Sequence, residues 1–154
     1  LRDFVDLARR VEAIACYAYL GDVTDSVTGD KAAHKFEDDY LDDLLTYLDK
    51  MGVEAVTYMP ARNTPAQIER LQGLCQQHNK FQISGEDINS PRQNFICHAM
   101  EKPEFAGLID STWALIAQER EVEAARPGFF SAEMIARYPE VSDRIAHFRS
   151  LIKG

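Results

Sequence analysis

The chain has 154 residues, a formal net charge of −8, 45% hydrophobic residues and 27% charged residues. That length and balance suit one globular domain with a sizeable core. An acidic surface disfavours nucleic acid and anionic membranes as partners, and no apolar run is long enough to span a bilayer. No basic-then-apolar leader pattern opens the sequence.

The first residues, Leu1 onward, fall at once into an amphipathic pattern through Phe4, Val5, Leu7, Ala8 and Val11. A start of that kind reads as a piece of a longer protein. "EAIACYAYLGDV", 12–23, is rich in small and aromatic residues on both alternating faces, which predicts a strand buried on both sides as in a parallel sheet. The polar stretch 21–35 is a long connection. A helical repeat follows through Phe36, Tyr40, Leu41, Leu44, Leu45 and Leu48, with Glu37, Asp38 and Asp39 at its start and Gly52 as its stop. The acids from Glu37 to Asp43 read as a solvated face that also complements the helix dipole.

A second unit repeats the scheme. "VEAVTYMP", 53–60, predicts a strand. Thr64, Pro65 and Gln67 spell a capped helix start, and Ile68, Leu71, Leu74 and Cys75 give its apolar face. The third unit is "KFQIS", 80–84, then a turn, then a helix from Pro91 capped by Ser90 and Gln93. Beyond residue 100 the pattern is helical. Phe105, Leu108, Ile109, Thr112, Leu115 and Ile116 define one helix, "AARPGFF" breaks it, and a last segment interrupted at Pro139 carries Val141, Ile145 and Phe148. Tyr17, Tyr19, Tyr58, Phe81 and Trp113 read as core. His78, His98 and His147 lie within helical patterns rather than at ligand positions.

Alternating strands and helices imply an α/β fold of parallel βα units. Three strands are few. The choices are a small open α/β domain, or the C-terminal part of a βα barrel, which needs about seven or eight strands when closed. Cys16, Cys75 and Cys97 are odd in number, far apart and in apolar segments, so they read as buried free thiols in a reducing cytoplasm.

In parallel α/β folds the loops after the strands gather on one rim, where ligands bind. Those loops hold Asp22, Asp25, Asp30 and His34, then Arg62 and Asn63, then Glu86, Asp87, Asn89 and Arg92. Carboxylates and imidazole hold divalent metals, while arginines and helix N-termini hold phosphate. Together they suit metal-assisted phosphoester hydrolysis. The competing account is plain: Asp25 and Asp30 solvate a loop, the arginines pair with neighbouring acids, and Glu86 serves solubility. No HxH, HExxH or CxxC is present.

The stretch "GVEAVTYMPARNTPAQIERLQGLCQQHNKFQISGEDINSPRQ" resembles the C-terminal region of the PHP (polymerase and histidinol phosphatase) domain family. There a strand, a helix opening near T-x-E/Q, and a strand ending in GSDxH follow one another. The resemblance covers residues 12–95. It implies a PHP-like, TIM-like, seven-stranded barrel, with residues 1–100 as its C-terminal half and residues 101–154 as a helical extension packed on it. It also implies divalent metal ions (Mn, Mg, Zn or Fe) and hydrolysis of a small phosphorylated substrate. Asp87 matches the family's final acidic ligand, Asn89 stands where a histidine is usual, and Asp22 stands where a His-Pro is usual. Arg62, Asn63 and Arg92 are the residues expected to hold phosphate. Oxygen ligands in place of imidazole favour Mn²⁺ or Mg²⁺. The family's early H-x-H is missing, so the chain alone is expected to be inactive, and uncovered strand edges are expected to drive self-association. The alternatives are a non-catalytic PHP-like domain binding a phosphorylated or sugar ligand, and a purely structural or interaction role.

Overall fold

A computed structural model of the chain describes residues 1–22, 36–86, 88, 91, 92 and 94–152. Its elements are α1 (Arg2–Arg10), β1 (Cys16–Ala18), α2 (Leu41–Met51), β2 (Ala55–Tyr58), α3 (Pro65–Gln77), β3 (Phe81–Ser84), α4 (Ala106–Glu123), α5 (Ala132–Arg137) and α6 (Val141–Leu151). The strands form one parallel sheet in the order β1-β2-β3, in register Cys16 with Ala55 and Ala55 with Phe81. The fold is therefore mixed α/β. No helix among the described residues is long and apolar enough to cross a membrane.

Alternation along β2 assigns the two faces of the sheet. Val56 and Tyr58 join α1, α2 and α3 in one core through Val5, Leu45, Leu48 and Leu71. Ala55 and Phe81 point the other way, into a core built by α4, α5 and α6 with Ala117, Phe129, Met134 and Phe148. Phe129 lies 4.7 Å from Phe81 and 5.2 Å from Phe148, centroid to centroid. The guanidinium of Arg144, only 3% exposed, sits over Phe129 and Phe130 and donates to the carbonyls of Tyr138 and Pro139. Two ring faces and two carbonyls replace part of its water, while its Nε is buried without a hydrogen-bond partner.

The local signals hold where they are local. Thr64 accepts from Gln67 N, Gln67 reaches back to Thr64 N, and Pro65 opens α3, so the capping box is complete. The four apolar residues expected on α3 are buried. Gly52 ends α2 at φ 75°, the left-handed region where a side chain is strained, and an added Cβ would meet the Arg9 guanidinium at 2.6 Å.

Several expectations fail. The strand expected over 12–23 is three residues long and lies at the sheet edge. Its residues are exposed or half-buried, and among the described residues no strand pairs on its outer side. Cys16 is accordingly exposed, Cys97 is half-buried, and only Cys75 is a buried thiol. The helix expected from Pro91 does not form among the described residues. Asn94 Oδ1 instead accepts from Ile96 N, a local turn that competes with helix, and Phe95 and Ile96 stay exposed. On α4 the buried stripe is Leu108, Ser111, Ala114, Ala117 and Gln118, whereas Ile109 and Trp113 face outward. Small residues let that helix lie close to the sheet. The outer stripe of α1 (Leu1, Phe4, Leu7 and Val11) is also exposed.

Beneath the sheet, buried Lys80 is held by Val53 O at 2.5 Å and Asp49 at 2.6 Å, and His78 reaches Asp49 at 2.5 Å. Burial pushes the Asp49 carboxyl up, but hydrogen bonds from Lys80 and His78 outweigh it and hold the group below its usual range. A depressed carboxylate stabilises the fold above its unfolded value of about 3.9 and loses that effect as pH falls through the folded value. Acid titration of the melting temperature should therefore show a loss that starts near that value and ends well below it. The Lys80→Met variant should show a shallower acid limb, and an unchanged limb would refute the role of the pair.

Candidate functional site

The carboxyl ends of the three strands lie side by side, and a set of side chains ties their exits together. Glu37 accepts from Tyr17 Oη at 2.5 Å, from Leu20 N at 3.1 Å and from Gly21 N at 2.8 Å. Asp38 accepts from the Tyr19 hydroxyl, from Asp22 N at 3.1 Å and from Gln67 Nε2 at 2.7 Å. These two acids, expected to be a solvated face, are instead the acceptors that fasten the β1 exit to the start of α2. Burial, reinforced by these acids, pushes the phenols of Tyr17 and Tyr19 well above the ordinary tyrosine value. Gly21 belongs to the same knot. Its φ is 73°, and a Cβ there would meet Asn63 Nδ2 at 2.7 Å and Gln67 Nε2 at 2.9 Å.

The residues expected to act at the rim have separate fates. Asp22 Oδ1 accepts from Phe36 N at 2.9 Å and Glu37 N at 2.8 Å, so this carboxylate already serves as a cap for backbone amides. Asn63 is buried. Its Oδ1 accepts from Met59 N and its Nδ2 donates to Leu20 O at 2.8 Å, which makes it a strut between two strand exits rather than a free phosphate donor. Glu86 has a structural duty too: Oε1 accepts from Ala61 N at 3.2 Å and from Cys97 Sγ at 3.1 Å, joining the β2 and β3 exits. Arg92 is exposed and has its own interaction. Asp25, Asp30, His34, Asp87 and Asn89 lie outside the described residues.

Arg62 differs from these. It is half-buried on the β2 exit, two residues before the Thr64 cap of α3. Its Nε is buried with no hydrogen-bond partner, and its guanidinium has no ion pair among the described residues. An unmet guanidinium nitrogen is costly and suits an anion, above all a carboxylate or phosphate that fits its planar fork. The start of the 13-residue α3 adds positive potential nearby.

A metal centre fits less well. Among the described residues no group of three or more His, Cys, Asp or Glu side chains is arranged to hold a metal ion. Asp22, the one expected ligand that is described, has backbone donors on its carboxylate. Comparisons with protein-family models, with curated proteins and with solved structures found no match.

Proposed function

We propose that the carboxyl end of this sheet binds a small phosphorylated molecule, with Arg62 as its main anion contact. The observation that supports this reading is the half-buried, unpartnered guanidinium of Arg62 beside the start of α3. The reading agrees with the PHP resemblance, whose members act on phosphoesters. Hydrolysis itself rests on that resemblance and on Asp87 and Asn89. Consecutive parallel order suits a barrel segment, but the face that would line a barrel is covered here by α4 and α6. We propose an open α/β unit, similar to PHP domains in the order of its βα units, in which binding precedes any chemistry.

Titration of the full chain by calorimetry with inorganic phosphate, phosphoserine and a hexose phosphate, each with and without Mn²⁺ and chelator, tests the reading. The expected result is binding that survives chelator and weakens on the order of 10- to 100-fold in Arg62→Gln, the loss of one charge-assisted contact. Binding seen only with Mn²⁺ would favour the metal-dependent hydrolase instead. No binding, or binding indifferent to Arg62→Gln, would overturn it.

A further inference from the structure

A cleft of about 540 Å³ opens beside the free edge of β3, between α3, the first half of α4 and the start of α6. It shares no residue with the rim around Arg62. Its volume is in the range of small-molecule sites, and its lining is chemically divided. One side is polar: Gln72 Nε2 donates to Tyr58 Oη at 2.9 Å, and Tyr58 Oη donates to Gln82 Oε1 at 3.2 Å. That relay leaves the Gln72 carbonyl and the Gln82 amide nitrogen without partners among the described residues. The other side is apolar, with Leu108, Val141 and Ile145.

Ser111 lies in the lining at 2% exposure, in the middle of α4. Its neighbour Thr112 returns its hydroxyl to Leu108 O at 2.8 Å. The Ser111 hydroxyl has no hydrogen bond to a described residue, yet it is not closed off from solvent as the buried Nε atoms of Arg62 and Arg144 are, so it opens onto the cleft. Serine is also a poor helix former. Water, or a ligand group that displaces it from the cleft, can serve as the partner of this hydroxyl.

The charges define the ligand. Lys80 borders the cleft, but its ammonium is held by Val53 O and Asp49. Glu104 and Glu140 also line the cleft. An anion would meet acids and no free cation. A flat base would find no aromatic face to stack on, because the Tyr58 ring is itself 1% exposed core. Amides and hydroxyls on one wall and aliphatic groups on the other suit a ring that carries hydroxyls at its rim and C–H groups on its face. We infer that this cleft binds an uncharged polyhydroxylated molecule of monosaccharide size.

The test uses the intact chain and four probes: D-glucose, D-galactose, N-acetylglucosamine and myo-inositol. Saturation-transfer NMR detects binding, and amide shift perturbation locates it at residues 82 and 108–111. Ser111→Ala should weaken binding about five- to tenfold, one neutral hydrogen bond, while leaving thermal stability equal or higher. Gly107→Leu places a side chain where a Cβ meets nothing within 4 Å, so it should fold normally and abolish binding by filling the cleft. Phosphate binding at Arg62 should be untouched by both variants, which separates this site from the rim. The inference is overturned if none of the four probes binds, if binding is unaffected by both variants, or if Ser111→Ala destabilises the fold.

Discussion

Phe129→Ala should cost about 3–5 kcal/mol of unfolding free energy, the range for removing a large buried ring. Phe129 is 0% exposed and its ring touches Phe81, Phe130 and Phe148, one from the sheet and one from α6. The ring also supports Arg144, whose guanidinium lies 5.4 Å from its centroid. Truncation therefore leaves a cavity and takes a face away from a buried cation. Domains of this size typically have about 5–15 kcal/mol in total, so the variant should sit near the edge of folding. Guanidinium denaturation monitored by far-UV circular dichroism measures the effect. Phe95→Ala is the control: Phe95 is 84% exposed, and its loss should stay within about 0.5 kcal/mol. A Phe129→Ala cost under about 1 kcal/mol would mean that α4–α6 do not pack on the sheet as described.

Asp38→Ala should cost about 2–4 kcal/mol, because it strands a buried tyrosine hydroxyl and takes an ionised acceptor from two further donors. Tyr19 is 1% exposed and donates to Asp38, which also holds Asp22 N and Gln67 Nε2. A double-mutant cycle isolates the coupling. Tyr19→Phe in the Asp38→Ala background should cost much less than it does alone, with an interaction term above about 1 kcal/mol. Additive costs would disprove the knot. The pH sign follows from the raised phenols of Tyr17 and Tyr19. Their contribution is complete below the unfolded tyrosine value of about 10 and falls as pH rises above it, since the unfolded chain then ionises first.

How much of this was legible depends on distance along the chain. The α3 helix could be read whole, because Thr64, Pro65 and Gln67 act on one another within a single turn and the apolar face repeats locally. Gly52 was legible for the same reason. The edge position of β1 was not, because whether a strand has one neighbour or two is decided by other parts of the chain. Glu37 and Asp38 looked like ordinary surface acids. Most of their partners lie 16 to 20 residues earlier and Gln67 lies 29 residues later, and no local spacing encodes that. Asn63 and Glu86 were correctly placed at the rim, but their contacts span 43 and 25 residues and turn them into struts. Arg62 was visible as a rim cation. That its Nε is buried without a partner depends on how distant segments pack around it. Ser111 was not legible, because the apolar stripe read along this segment runs through Thr112 and only the packing of α4 turns Ser111 inward.

The knot at the β1 exit also bears on the order of events during synthesis. Its donors and acceptors arrive from residues 17–22, then 37–38, then 63 and 67, with Gln67 closing on Asp22 O across 45 residues. Glu37 and Asp38 can take the β1 exit once the start of α2 has appeared, and Gln67 closes the knot only when α3 begins to form. Closing so long a loop is entropically slower than forming any helix turn. The exit of β1 is thus fastened in two stages, first by two carboxylates across 16 to 20 residues and then by one side-chain amide across 45.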